Sequence, residues 1–351
     1  MRGLPGHLAR RDELTPETRQ ERVAVVGGGS WGTTVASITA RNVPTILWTR
    51  RPEIAEEIER DHTNTAYLGV EQLHPHLRAT SSLEEAVSEA DVLVMAVPSH
   101  GFRSVLERAA PHVRPWVPIV SLTKGLELDT RRRMTEIVEE LLPGHPAGVL
   151  AGPNLAQEVL GGYAAAAVLA MPDAHVARAL QDIFRRTLFR VYASTDVTGV
   201  EIAGALKNVF AIAAGMASGL GTGDNTRALV ISRSLAEMTR LGVAMGGERH
   251  TFAGLAGMGD LLATCISPLS RNRRVGEELA RGRGIDEIVA DMNMVAEGIK
   301  TSRVVMELGE RHGVETPIAR EVFGVVHEGR TPEEAYRGLF KTRPTTELAA
   351  N

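Results

Sequence analysis

The order of apolar and polar positions divides the chain into two parts. From Arg22 to about Tyr192, short apolar runs alternate with longer stretches in which apolar residues recur every three or four positions. Short apolar runs bounded by turn-forming residues predict buried strands, and the longer period predicts amphipathic helices. Strands are expected at Val23–Val26, Thr45–Trp48, 92–97, 118–122, 148–151, 166–170 and 189–192, with helices such as 81–89 and 131–141 between them. The strand in Asp91-Val92-Leu93-Val94-Met95-Ala96-Val97-Pro98 should stop at Pro98, which has no N–H to offer a neighbouring strand. Strands alternating with helices imply a parallel sheet covered on both faces. Beyond about Ala193 the strand pattern ceases, and 196–217, 226–242, 271–281, 285–291, 298–312 and 332–339 read as helices with glycine-rich joints. This is an all-helical second domain, and the crevice between the two domains is where a small ligand would sit. The expected division is a flexible tail over 1–20, a sheet domain over 21–194, a helical domain over 195–340 and a loose tail over 341–351.

Composition narrows the class. At 351 residues the chain exceeds one ordinary core, in line with two domains. An apolar fraction of 43% and a charged fraction of 23% are those of a soluble globular protein. A net charge of −4 gives no basis for binding nucleic acid through a basic surface. Residues 1–20 mix Arg, Pro and Glu and lack the apolar stretch of a signal peptide. The single cysteine, Cys265, excludes an internal disulfide, fits a cytoplasmic protein and reads as a small buried hydrophobe. The 11 histidines show no paired metal-ligand spacing, and His74-Pro75-His76 reads as a turn, so no metal is expected. The most apolar helix, over 199–217, contains Glu201 and Lys207 and is expected to be a core helix, not a membrane span. The pattern does not fix the oligomeric state, and a homodimer is compatible with it.

The run Val23-Ala24-Val25-Val26-Gly27-Gly28-Gly29-Ser30-Trp31-Gly32 moves the reading from fold class to ligand. Gly27, Gly29 and Gly32 have the G-x-G-x-x-G spacing, behind a predicted strand and ahead of a predicted helix. In a Rossmann-type doubly wound α/β sheet the first glycine makes the turn, the second admits a pyrophosphate and the third lets helix and strand pack closely. The helix start offers N–H groups and a positive dipole end to the phosphates. An NAD site usually places an acid about 20 residues past the glycines to hold the ribose 2′-hydroxyl. Here the next strand ends in Thr49-Arg50-Arg51-Pro52 instead, and a guanidinium fork suits the 2′-phosphate of NADP. NADPH/NADP is the expected cofactor, with room left for NADH/NAD.

Three further segments carry candidate chemistry. Lys207 and Asn208 sit in the middle of a helix that is apolar almost all round, and such a helix is buried on most faces. An unpaired ammonium is costly there, so Lys207 must have a partner, reach an aqueous cleft or carry a depressed pKa. It could then act as a general acid or base. Lys124 follows a predicted strand at its carboxyl end, on the cofactor side, and Gly125 allows close backbone approach. Asp260 follows a glycine-rich turn; it is either a plain N-cap or the partner of Lys207. Ser270-Arg271-Asn272-Arg273-Arg274 places a cap and three arginines at a helix start, an anion site by charge and dipole, with Arg273 and Arg274 read as a solvated face.

Together these segments resemble the NAD(P)-dependent glycerol-3-phosphate dehydrogenases of the bacterial type. The matching blocks are VGGGSWGT, ILWTRRPE, AVPSH, TKGLE, GPNLAQE, GVEIAGALKNVFAIAAGM, GMGDLLATC, SRNRRVG and VAEG, in the family's order from about residue 22 to 339. The resemblance implies that Ser30, Trp31, Arg50, Arg51, Ala156, Val295 and Glu297 contact the cofactor. It implies a substrate site of Lys124, Gly152, Asn154, Asp260, Ser270, Arg271 and Asn272 beside Lys207 and Asn208, with Lys124 and Arg271 also reaching the cofactor. Lys207 would be the proton donor and acceptor in reduction of dihydroxyacetone phosphate to sn-glycerol 3-phosphate, which feeds glycerophospholipid synthesis. Asn154 departs from the family, where Thr or Ser is common. A ketopantoate-type reductase would also use a helix lysine, but on a substrate without phosphate, and the 270–274 run favours a phosphorylated one. A non-catalytic NADP sensor on the same fold would be expected to lack Lys207.

Overall fold

A computed structural model describes residues 21–292 and 296–339, so the two expected tails and Val295 lie outside the described residues. Eight strands make one sheet: β1 Val23–Val26, β2 Thr45–Trp48, β3 Leu77–Thr80, β4 Val92–Met95, β5 Ile119–Ser121, β6 Ala147–Ala151, β7 Ala165–Ala170 and β8 Phe189–Ser194. Their order across the sheet is β3-β2-β1-β4-β5-β6-β7-β8. Val23 and Val25 belong to one apolar cluster and Ala24 and Val26 to another, so helices cover both faces of the sheet. Chain order reverses at β1, which pairs with β2 on one side and β4 on the other. In such sheets the crevice at the carboxyl ends beside that reversal is the ligand site.

The wholly parallel sheet expected from the pattern needs one correction. β6 and β7 run antiparallel, whereas all other neighbours are parallel. Between them lies only the five-residue helix Ala156–Leu160, which turns the chain back where a full helix would carry it across. β3 was absent from the expected strands. Its four residues alternate between buried Leu77 and Ala79 and more exposed Arg78 and Thr80, too short an alternation to stand out.

After β8 the chain is helical. The 23-residue helix Val197–Gly219 is long and apolar enough to cross a membrane, and its apolar window is entirely buried inside the fold. Helices Asp224–Ala244, Asp260–Ile266, Arg271–Ala280, Glu297–His312 and Pro317–His327 pack around it. The approach of Arg271–Ala280 is close enough to need glycine: a Cβ on Gly276 would stand 2.1 Å from the Ile212 carbonyl oxygen. That contact holds the middle of Arg271–Ala280 against the long helix, and Asn272 at its start reaches Asn208. Cys265 is buried in this helical core, and burial pushes its thiol up to about 12. Among the described residues no group of three or more His, Cys, Asp or Glu is placed to hold a metal ion.

Candidate active site

The glycine turn after β1 has the geometry its spacing implies. Gly27 has φ +129°, and a Cβ there would lie 2.6 Å from the Ala96 carbonyl oxygen. A Cβ on Gly32 would lie 2.0 Å from the Gly27 carbonyl oxygen, whereas one on Gly29 would meet nothing within 4 Å. The open space is therefore at the middle glycine. Helix Ser30–Thr39 starts there with no side-chain cap and no acid in its first turn, which leaves its leading N–H groups for an anion. Asn64 holds the turn from behind, donating to the Gly28 carbonyl at 3.0 Å and to Thr33 Oγ1 at 2.9 Å. The Trp31 ring stands edge-on to Phe189 at 6.1 Å, with its Nε1 buried and unpartnered among the described residues. This cradle fits a dinucleotide pyrophosphate.

The neighbouring residues are drawn in unequally. Ser30 Oγ donates to the Tyr67 carbonyl at 3.1 Å. Arg51 lies over the Tyr67 ring at 5.4 Å, with Nε 3.5 Å from Glu53 Oε1, while Arg50 is exposed beyond the end of β2. Ala156 is brought to the turn by its carbonyl, which accepts from Thr34 Oγ1 at 3.5 Å. Glu297 caps the start of helix Ser99–Ala109, accepting from Ser99 N at 3.1 Å and Ser99 Oγ at 2.7 Å.

Across the crevice, the two candidate lysines meet one carboxylate. Asp260 is delivered by a single π-turn, Leu255–Gly259, and begins helix Asp260–Ile266. Its Oδ1 lies 2.9 Å from Lys207 Nζ and its Oδ2 accepts from Lys124 Nζ at 2.6 Å. Asp260 is 1% exposed and Lys207 5%. The plain-cap reading of Asp260 therefore gives way to charge balance. Lys207 Nζ also donates to Thr264 Oγ1 at 2.6 Å, and Lys124 Nζ to the Gly152 carbonyl at 2.8 Å. Burial pulls the Lys124 ammonium down to about 8; Asp260 opposes the shift and the Lys207 charge adds to it.

The amides around this cluster are engaged with the protein. Asn208 Nδ2 donates to the Lys124 carbonyl at 2.9 Å, and Asn272 Nδ2 to Asn208 Oδ1 at 2.9 Å. Asn272 Oδ1 accepts from Gly298 N at 3.0 Å. Asn154, with its amide oriented to satisfy both groups, donates to the Ala166 carbonyl at 3.0 Å and the Pro153 carbonyl at 3.2 Å. Ser270 is the N-cap of helix Arg271–Ala280, its Oγ accepting from Arg273 N at 3.2 Å. Arg273 pairs with Glu277 at 2.6 Å, while Arg271 is exposed at the first helical position, within electrostatic reach of Glu297.

Sequence reasoning missed three groups. Thr264 stands four residues after Asp260 on one helix, and that spacing puts both on one face. Ser99 follows β4 in the block AVPSH, and its N–H and hydroxyl find Glu297 only through tertiary structure. Glu201 joins the long helix to the start of helix Met134–Leu141, accepting from Arg133 Nη1 and Thr135 N, each at 3.1 Å, and from Thr135 Oγ1 at 2.5 Å.

Residues 22–177 match the family described as NAD-dependent glycerol-3-phosphate dehydrogenase N-terminus, and residues 196–337 match the corresponding C-terminus. Glycerol-3-phosphate dehydrogenase (NAD(P)+) 2 of Sphingopyxis alaskensis is 61% identical over 321 residues, spanning 92% of this chain and 96% of the relative. The crystal structure of glycerol-3-phosphate dehydrogenase from Coxiella burnetii is similar at a TM-score of 0.88 and 34% identity, covering 92% of this chain and 99% of that one. A ketopantoate reductase from Ralstonia eutropha, at a TM-score of 0.56 and 19% identity over 90% of this chain and 99% of that one, shares the fold alone. With the sheet and the helical part each matched to one half of the same enzyme, the chain belongs to the NAD-dependent glycerol-3-phosphate dehydrogenase family.

Proposed function

We propose that the crevice reversibly reduces dihydroxyacetone phosphate to sn-glycerol 3-phosphate with NADPH as the preferred cofactor and Lys207 as the proton donor. The reading rests on one observation, a buried carboxylate bridging two ammonium groups at the crevice. The cofactor, when bound, supplies the hydride; the protein supplies orientation and electrostatics. Gly27, Gly29 and Gly32 shape the pyrophosphate turn, with Ser30, Trp31 and Ala156 around it and Glu297 beside the crevice. Arg50 grips the 2′-phosphate and Arg51, held over Tyr67, flanks it. As the substrate carbonyl gains electron density, Lys207 gives its proton to the oxygen, and Lys124 keeps a positive potential beside it. Asp260 fixes both ammoniums, and Thr264 fixes the direction of the Lys207 N–H bonds. Arg271, at the helix start capped by Ser270, holds the substrate phosphate. Gly152, Asn154, Asn208 and Asn272 form the wall behind it, mainly by holding one another and Lys124.

In the oxidative direction Lys207 takes the proton back from the hydroxyl. The product would enter glycerophospholipid synthesis in the cytoplasm. The test is NADPH oxidation by the full chain with dihydroxyacetone phosphate against ketopantoate. Turnover of the phosphorylated ketone with little or none of the keto acid is expected. Turnover of ketopantoate alone, or of neither compound, would sink the reading.

A further inference from the structure

A cavity of about 1070 Å³ opens against β8, the last strand of the sheet, and none of the turn glycines or the lysines lines it. It is lined by Arg41, Arg178, Arg185, Arg186 and Arg190, against one carboxylate, Asp182. Asp182 does not neutralise them. Its Oδ1 is 3.4 Å from Arg185 Nε, with both side chains mostly in solvent, where such a pair contributes little. Arg186 is built into place: its Nη1 donates to the Val159 carbonyl at 3.0 Å and the Leu160 carbonyl at 3.1 Å, which orients the guanidinium without cancelling its charge. Burial, and after it the charge of Arg186, lowers the Arg41 pKa, which puts Arg41 within electrostatic reach of the Arg186 guanidinium. The walls are tied together as well, since Asn42 Nδ2 donates to the Ile183 carbonyl at 2.9 Å and the Arg185 carbonyl at 2.8 Å.

A chain of net charge −4 that gathers five arginines around one cleft keeps them at an electrostatic cost that a bound anion would relieve. Guanidinium forks match phosphate oxygens two at a time, and those already held by backbone carbonyls lose less entropy on binding. The cavity is too roomy for a single phosphate, and Leu188 and Tyr192 on its lining are 52% and 48% exposed, which offers an apolar surface to the rest of a ligand. We propose that this cleft is a binding site for a compact polyanion of linked phosphate groups, separate from the catalytic crevice. Phe189 lies in the lining and also touches Trp31 of the dinucleotide turn, so the cleft and the cofactor cradle share a wall.

The test is calorimetric titration of the full chain with tripolyphosphate in saturating NADP, which keeps the cofactor cradle filled. One binding event is expected. Arg41→Ala combined with Arg190→Ala should weaken it at least about tenfold, the worth of one charge-assisted contact. The same variant should keep the parental kcat/KM, and Arg271→Ala should keep the parental affinity for tripolyphosphate. Sulfate at matched ionic strength should bind far more weakly. Absence of binding, equal binding of sulfate, or a loss caused by Arg271→Ala and not by the double variant would each overturn the proposal. Sedimentation with phosphatidylglycerol and with phosphatidylcholine vesicles separates the sources. Tripolyphosphate binding without vesicle binding assigns a soluble ligand, and both together, each lost in the double variant, assign a lipid headgroup as a second source. Vesicle binding alone replaces the compact ligand with a membrane surface and overturns it.

Discussion

Replacing Asp260 by Asn removes one negative charge from between two ammoniums and changes almost nothing in volume. Asp260 Oδ1 and Oδ2 lie 2.9 Å and 2.6 Å from Lys207 Nζ and Lys124 Nζ, and the carboxylate is almost fully buried. Without it, the folded state at neutral pH has to keep two unpaired cations together or release a proton from one. In the parent Lys124 titrates at about 8, so releasing its proton at pH 7 costs about 1.4 kcal/mol, at 1.36 kcal/mol per unit. At pH 9.5 that proton has already left the folded parent, and its release adds almost nothing. The destabilisation of Asp260→Asn relative to the parent should therefore be about 1.4 kcal/mol larger at pH 7 than at pH 9.5. Urea unfolding of both proteins at both pH values measures it. A penalty that is the same at the two pH values would show that Asp260 stabilises by shape or hydrogen bonding and not by balancing charge.

Other perturbations separate the roles assigned in the crevice. Lys207→Ala should leave cofactor binding near normal and lower turnover by about two to four orders of magnitude, the usual worth of a positioned acid–base group; near-parental turnover would remove Lys207 from the mechanism. Arg50→Ala should raise KM for NADPH about ten- to a hundredfold with little change for NADH, while Arg51→Ala, whose guanidinium already has Tyr67 and Glu53, should do less. Equal changes for both cofactors would leave the arginine pair no part in reading the 2′-phosphate. Arg271→Ala should weaken dihydroxyacetone phosphate by about ten- to a hundredfold, and unchanged KM and turnover would move the phosphate elsewhere. Because Lys124 titrates at about 8, its positive potential is present below that pH and lost above it. The reductive kcat/KM should accordingly fall as pH rises through about 8, and Lys124→Arg, which stays charged, should abolish that inflection; a profile unchanged in the variant assigns it to another group.

What the sequence revealed depended on how local the determining physics is. The glycine turn was legible because its three constraints act within a few residues: a positive φ, an open side and a close contact. Strand direction was not. β6 and β7 are antiparallel because the segment between them is too short to cross, and apolar runs look alike in either direction. The need of Lys207 for a partner followed from its place on an apolar helix, yet the choice of Asp260 over a plain cap lay in how a π-turn aims the carboxylate. Thr264 was within reach of the i, i+4 rule. The partners of Asn154 and Asn272 at Ala166, Asn208 and Gly298 were not, because those groups stand well away in sequence. The two adjacent arginines looked equivalent in the sequence, and the positions of Tyr67 and Glu53 set Arg51 apart from Arg50.

The cluster of Lys124, Lys207 and Asp260 is also part of the joint between the two halves. Lys124 comes from the loop after β5, whereas Lys207 and Asp260 come from the helical part, so the Asp260 carboxylate ties one side of the crevice to the other. Asn208 repeats the tie by donating to the Lys124 carbonyl, and Glu201 makes it a third time through Arg133 and Thr135. The separation of the two ammoniums is therefore set by buried bonds of the protein, before any ligand arrives. A site whose charges are already in place does not have to reorganise as negative charge grows on a carbonyl oxygen, which is the main source of electrostatic catalysis. The Glu297 contact with Ser99 is of a different kind. It joins two helix starts beside the crevice through a carboxylate outside the lysine cluster. Breaking it leaves the three buried ties and the lysines in place, and for that reason stability and turnover should fall together in Asp260→Asn, whereas Ser99→Ala should lower stability and keep turnover.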